Sequence, residues 1–239
     1  ACGGGGSCAL CKVKIKKGCP PVIAPEEPHL TKQEISDGVR LSCQHKLKND
    51  IAIELDSSIM GVKKFEGRVV SNDNIATFIK ELIIETDHPI SYRAGDYLQI
   101  DVPHYTCNTS DWKSNISKIY QSDWDSMSLF GHTLKNIEDG IYRAYTMASY
   151  PDEKTLRFDI RIATPPSHLM NKVPWGLASS YTFNLKPGDT VTLSGPFGES
   201  HMIHDDREVI FITGGAGASF SRTHILDLIL NKNSTRQIS

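Results

Sequence analysis

Three of the six cysteines fall within the first eleven residues, and four consecutive glycines, Gly3 to Gly6, separate the first two of them. The spacing is Cys2-x5-Cys8-x2-Cys11, with Cys43 well downstream and Cys19 and Cys107 apart from the group. A secreted disulfide scaffold carries its cysteines more densely and more evenly along the chain. Clustering of this kind points instead to a metal in a reducing compartment.

The spacing is close to the plant-type pattern that holds a two-iron, two-sulfur (2Fe–2S) cluster, in which four thiolates reach two irons and three of them come from one tight loop. Such a loop needs residues free of Cβ clashes and amides turned inward, which Gly3 to Gly6 can supply. Cys2, Cys8, Cys11 and Cys43 are the expected metal ligands. Zinc is the rival, with Cys2 or Cys8, Cys11, Cys43 and His45 as its ligands, although structural zinc sites bring their ligands in close pairs. Cys19 and Cys107 read as small buried or partly buried residues.

Residues 1–59 form a first predicted domain of ferredoxin type. Within it Lys12–Lys17 is broken by Val13 and Ile15, an alternation that reads as a half-buried strand, and Ile51, Ile53 and Leu55 form a second alternating run. From residue 62 to 202 the chain becomes a series of β-like runs, at 66–72, 76–86, 96–102, 142–150, 156–164 and 189–195, punctuated by turns such as Pro187-Gly188-Asp189. Many strands without a helical period between them predict an antiparallel barrel. A polar insertion at 104–135, carrying Trp112, Tyr120 and Trp124, is expected to wrap its surface.

Residues 205–239 change texture again. Val209–Ile212 is a short apolar run of the kind found in buried parallel strands. Gly214, Gly215 and Gly217 follow, then apolar positions at helical spacing. Strand, glycine turn and helix open a nucleotide-binding α/β domain, here expected to take NADH. The fold class expected is therefore α+β and multidomain. The chain begins at Ala1 without an initiator methionine and ends where a second strand is due, so both ends are expected to be cut. Lys+Arg 26 against Asp+Glu 28 gives no electrostatic case for nucleic acid. No apolar stretch approaches the roughly 18–20 residues that span a bilayer.

FAD needs a cation for its diphosphate, an aromatic face for its isoalloxazine and hydrogen bonds near N5. Arg143, Tyr145 and Thr146 on one predicted strand can supply these, with Tyr145 and Thr146 meeting the reacting ring. Gly176 followed by Ser179 and Ser180 suits a second diphosphate contact, and Gly195-Pro196-Phe197-Gly198 comes next in order. Arg161 is a lesser candidate. His201-x-x-His204 reads as solvated loop and His224 as a helix residue.

The stretches ACGGGGSCALCKVKI, VRLSCQ, YRAYTMASYP, WGLASSY, LKPGDTVTLSGPFGES and FITGGAGASFSRTHI, in this order, resemble the ferredoxin-reductase superfamily. Within it they resemble the family of F subunits of sodium-translocating NADH:quinone reductases. The resemblance implies a β-grasp 2Fe–2S domain, a six-stranded FAD barrel and the start of an NADH-binding domain. It also implies electron flow from NADH through FAD and the cluster to partner subunits of a membrane complex, and finally to quinone. A place on the cytoplasmic face of a bacterial inner membrane, through an N-terminal helix outside this chain, is implied as well. Thr146 stands where a serine is commoner, and Phe220 where the superfamily usually shows proline. Two alternatives stay open: a soluble reductase feeding an oxygenase, and a zinc-stabilised binding module without redox chemistry.

Overall fold

The computed structural model describes residues 4–55, 64–170, 172–198, 200–203, 205 and 207–239, and the chain divides into two compact units, Ala1–Val62 and Lys63–Ser239. In the first unit β1 (Lys12–Lys17) is the central strand of a three-stranded antiparallel sheet, flanked by β2 (Val39–Leu41) and β3 (Ala52–Glu54). The expected alternation holds, for Ile15 is 6% exposed while Lys16 and Lys17 face solvent. A short helix, α1 (Lys32–Ser36), starts at a capping box in which Thr31 and Glu34 satisfy each other's backbone N–H groups.

The second unit carries the expected barrel. Its strands are β4 (Lys64–Ala76), β5 (Ile79–Thr86), β6 (Tyr97–Asp101), β9 (Tyr142–Thr146), β10 (Leu156–Arg161) and β11 (Thr190–Phe197), in the antiparallel order β10-β5-β4-β11-β6-β9; β7 (Tyr105–Asn108) and β8 (Thr133–Asn136) form a separate hairpin. The outer strands meet just beyond the end of β9, where Ala148 N–H donates to Arg157 O at 2.7 Å. Register breaks in β4 after Val69 and after Asn74 let that long strand bend. Alternate residues Leu82, Ile84, Leu98, Ile100, Phe158, Val191 and Leu193 point inward and form the core. One end is plugged by α3 (Leu177–Asn184), whose Phe183 is fully buried. Truncating such a phenylalanine typically costs about 3–5 kcal/mol.

The insertion differs from the expected surface wrap. It forms β7, α2 (Lys118–Ser126) and β8, and it sends both tryptophans into the core. Trp112 and Trp124 meet edge to face at 6.1 Å, and their indole N–H groups donate to Asn184 Oδ1 and Thr77 O. Two large side chains that each gain a hydrogen-bond partner outweigh the polar composition around them.

The run Val209–Ile212 does not form the expected buried strand. Among the described residues it makes a single bridge, Val209 to Ile238, and Ile212 is 92% exposed. An apolar run is buried as a parallel strand only when other elements cover both of its faces. The glycine turn and the helix after it, α4 (Ala218–Leu226), do form. Thr223 donates to Ser149 O at 2.7 Å and Arg222 to Ala148 O at 2.6 Å, which fixes α4 on the barrel just past β9. Arg222 also pairs with Glu153, which pairs in turn with Arg157.

Candidate cofactor sites

Of the four expected cluster ligands, Cys2 lies outside the described residues. The structure brings Cys11, at the foot of β1, within 3.2 Å of Cys43, sulfur to sulfur. Ser42 N–H donates to Cys11 O at 2.9 Å and locks the two segments together. Burial, with the Cys43 sulfur adding to it, raises the Cys11 thiol above its usual range. Two thiolates this close repel one another unless a cation lies between them. The loop from Gly4 onward winds through positive φ at Gly4 and Gly6, and Gln44 Nε2 donates to Gly4 O at 2.7 Å. A Cβ on Gly6 would stand 2.9 Å from Gln44 Cδ, so the glycine serves close approach as well as conformation. This donor set fits an iron–sulfur centre. Among the described residues no three Cys, His, Asp or Glu side chains converge on a metal site.

His45, the fourth ligand of the zinc alternative, is engaged elsewhere. Its Nε2 lies 2.8 Å from Glu26 Oε2. Glu26 is wholly buried and also accepts from Leu41 N–H at 2.6 Å and Ile23 N–H at 3.1 Å. Cys19 is exposed, whereas Cys107 is buried and its thiol is pushed up to about 11, mainly by burial.

In the second unit Arg143 and Tyr145 share one face of β9, opposite Ile100 and Leu98 of β6. Burial pushes the Tyr145 hydroxyl up to about 12, with Thr182 of α3 beside it, so it stays neutral and offers a ring and a hydroxyl rather than a charge. Tyr105 of β7 lies nearby and donates to Leu177 O at 2.9 Å. Arg143 has no ion pair or side-chain hydrogen bond among the described residues. Thr146 falls on the opposite face, across from Tyr97, whose ring packs against Phe197 at 5.5 Å. The strand thus separates Thr146 from Arg143 and Tyr145 and groups it with the 195–198 turn.

Gly176 and Ser179 are engaged in local packing. Ser179 Oγ accepts from Ala163 N–H and donates to Gly176 O, and a Cβ on Gly176 would collide with Ala163 Cβ at 2.7 Å. Ser180 differs: its buried hydroxyl lies beside that of Tyr105 and makes no close hydrogen bond among the described residues. It opens on a cleft of about 370 Å³ lined by Tyr105, Lys135, Lys172, Trp175 and Leu177. Among the described residues no side chain caps the first turn of α3. A helix N-terminus, a buried hydroxyl and two lysines are the chemistry a diphosphate needs. A larger hollow of about 890 Å³ lies elsewhere on the barrel, where Asp101 sits beside Lys64 and Asp139 beside His104.

Arg161 ends β10 opposite Ile79, and an added Cβ on Gly215 would lie 3.7 Å from Ile79 Cδ1. Arg161 therefore borders the glycine turn, away from Arg143. A Cβ on Gly214 or Gly217 would meet nothing within 4 Å, so the turn is open to approach by a ligand. Sequence reasoning missed Tyr105, Thr182, Gln44 and Glu26. Of these only Gln44, next to a predicted ligand, carried a local signal.

Residues 1–48 match the 2Fe-2S iron-sulfur cluster binding domain family. Over its full length the chain is 49% identical to the F subunit of the Na(+)-translocating NADH-quinone reductase of Chlamydia caviae and spans 57% of that protein. It is 43% identical to the corresponding protein of Psychrobacter cryohalolentis, again over the whole chain and 58% of the relative. An Amycolatopsis cytochrome P450 reductase shares the fold at TM-score 0.60 and 20% identity, over 98% of this chain and 60% of the other. The ferredoxin reductase in a carbazole 1,9a-dioxygenase does so at TM-score 0.58 and 21% identity, over 98% and 63%. No helix among the described residues is long and apolar enough to cross a membrane.

Proposed function

The chain is homologous from end to end to Na(+)-translocating NADH-quinone reductase F subunits, of which it spans 57%, and on that premise we propose that it carries electrons from NADH through FAD to a 2Fe–2S cluster within such a complex. Its segments divide the work: 1–59 for the cluster, 62–202 for FAD and 205–239 for NADH. Other subunits and quinone lie downstream, and an N-terminal membrane anchor on the cytoplasmic face of an inner membrane completes the reading. The observation that carries it is the match over the whole chain at 43–49% identity, which takes in both candidate cofactor sites. The oxygenase-reductase alternative shares the fold at only 20–21% identity.

FAD, when bound, can take up a hydride as a pair of electrons and release them singly, which suits a cluster that accepts one at a time. The chain's own residues bind and orient. Arg143 and the first turn of α3 neutralise the diphosphate, with Lys135 and Lys172 lowering the electrostatic cost further. Ser180 offers its buried hydroxyl to the same group. Tyr145 and Tyr105, both held neutral by burial, present aromatic surface without competing for protons. Thr146, on the other face, supplies a hydroxyl on the side of the 195–198 turn. Cys2, Cys8, Cys11 and Cys43 would hold the cluster, and the glycine loop would offer backbone amides to it. The glycine turn 214–217 accepts the NADH pyrophosphate at the start of α4.

Purified protein loaded with iron, sulfide and FAD should be coloured and, once reduced, should give a 2Fe–2S signal in electron paramagnetic resonance. A colourless protein holding stoichiometric zinc would overturn the reading.

A further inference from the structure

Among the described residues one lysine lies in the interior of the barrel. The alternation of β5 places Lys80 in phase with Leu82 and Ile84, and it is 1% exposed. No carboxylate is paired with it among the described residues. Its ammonium reaches Phe183 O of α3 at 3.3 Å and lies 5.4 Å from the Phe183 ring. The adjacent strand adds Asn72, whose amide donates to Thr182 O at 2.8 Å and Leu185 O at 2.9 Å. Two side chains from neighbouring strands therefore clamp the last carbonyls of the helix whose first turn opens on the Ser180 cleft.

Stability does not explain the lysine. A buried, unpaired ammonium costs more than an apolar side chain of the same length, and replacing buried charges by well-packed hydrophobes is often neutral or stabilising. What the ammonium provides is charge at the negative end of α3, while the positive end faces the cleft.

We propose that Lys80 is a positioning residue for flavin binding: from inside the barrel it holds α3 by its final carbonyls and lends positive charge, along the helix, to the diphosphate end of the cleft. The inference rests on the assignment of that cleft to FAD. Eight residues at 1.5 Å each set the ammonium on the order of 12 Å from the first turn. At an effective dielectric near 20 this coupling changes anion affinity roughly three- to tenfold.

Burial lowers the ammonium to about 8, with Asp73 acting in the opposite direction. The residues opposite Lys80 on its flanking strands, Asn74 and Ile160, and those of α3 beside it, Thr182 and Phe183, carry no charge. The tyrosines against or within α3, Tyr105, Tyr145 and Tyr181, are each pushed up to about 12 by burial and stay neutral. His132 lines the cleft itself, so comparison with Lys80→Met is what assigns a step to Lys80.

The test is an FAD titration by flavin fluorescence, at intervals from pH 6.5 to 9, on the whole chain and on Lys80→Met. The wild-type Kd should rise roughly three- to tenfold through a midpoint near 8. Lys80→Met should start at the raised Kd and show no step, while its guanidinium midpoint matches or exceeds that of the wild type. Should Lys80→Met fail to fold, Lys80→Arg decides: it keeps its charge at every pH and should hold the lower Kd without a step, and a step that persists in it overturns the inference. A flat wild-type profile, or a Lys80→Met profile that copies the wild type, overturns the inference and leaves the flavin reading standing. A wild type that binds no FAD at any pH overturns both.

Discussion

Glu26 is a single wholly buried carboxylate on which the ligand-bearing end of the first unit depends. Its Oε1 accepts from Leu41 N–H, one residue before the turn that carries Cys43, and its Oε2 accepts from Ile23 N–H and faces His45 Nε2. Glu26→Gln keeps the shape but replaces one acceptor oxygen with an NH2 group. Whichever way the amide turns, at least one buried main-chain N–H then meets a donor, at about 1–3 kcal/mol, and the remaining bonds lose their charge assistance. The sum is roughly 2–4 kcal/mol, against about 5 kcal/mol in total for a unit of this size. Hydrogen exchange of peptides spanning 23–41 should accelerate accordingly. All three tryptophans, Trp112, Trp124 and Trp175, lie in the other unit, so their guanidinium transition should stay put and serves as an internal control. The pH dependence has a definite sign. Burial raises the Glu26 carboxyl, but the donors Leu41, His45 and Ile23 outweigh it and the net shift is downward. The stabilisation is therefore complete above the unfolded carboxylate value near 4.3 and disappears as pH falls through the lower folded value. Exchange rates in Glu26→Gln within about 0.5 kcal/mol of wild type would refute the assignment, since surface changes fall in that range.

Cys43→Ala should abolish the 2Fe–2S signal, whereas Cys107→Ala, which removes a buried protonated thiol, should leave it intact; retention of the signal in Cys43→Ala removes Cys43 from the ligand set. Arg143→Ala should weaken FAD binding by about 1.5–3 kcal/mol, and FMN, lacking the diphosphate, should bind the unaltered protein poorly. Equal affinities for FMN and FAD by fluorescence titration would count against Arg143. Thr223→Val should cost α4 about 1–2 kcal/mol of docking, seen as faster hydrogen exchange at 218–226 with FAD affinity unchanged; unchanged exchange would show that the bond to Ser149 does not hold the helix.

The six barrel strands were legible because a half-buried strand writes its pleat into the sequence: Leu82 and Ile84, or Leu98 and Ile100, recur every second residue. The same alternation flags Lys80 as an inward residue once its phase with Leu82 is followed. The insertion misled because burial of Trp112 and Trp124 depends on partners at Asn184 and Thr77, 72 and 47 residues away, which no local pattern records. Val209–Ile212 misled for a different reason, since a four-residue apolar run carries no period and its fate depends on what covers it. At the flavin motif the residue types were informative and their roles less so. Ser179 and Ser180 are neighbours of identical chemistry, yet one hydroxyl is consumed by Ala163 and Gly176 while the other lies beside Tyr105 at the cleft, a difference set by where the helix begins. Glu26 and His45 could not be paired by inspection, because the turn that joins them passes through β2.

The placement of α4 has a consequence for how the glycine turn relates to the flavin strand. Arg222 and Thr223 bond to the carbonyls of Ala148 and Ser149, two and three residues past Thr146. Tyr92 adds bonds to Ser149 Oγ and Tyr150 O from the other side. Thr223 and Ser149 are fully buried, so these are bonds that water cannot replace without opening the contact. A turn held this way cannot tilt independently of β9, and residues 205–239 accordingly cluster with the barrel. Fixing a hydride donor relative to its acceptor is worth far more than the bonds themselves, because misplacement by about 1 Å can cost on the order of a hundredfold in rate. On the proposed reading, with NADH at the glycine turn, the short polar seam between α4 and the end of β9 is where that geometry would be set.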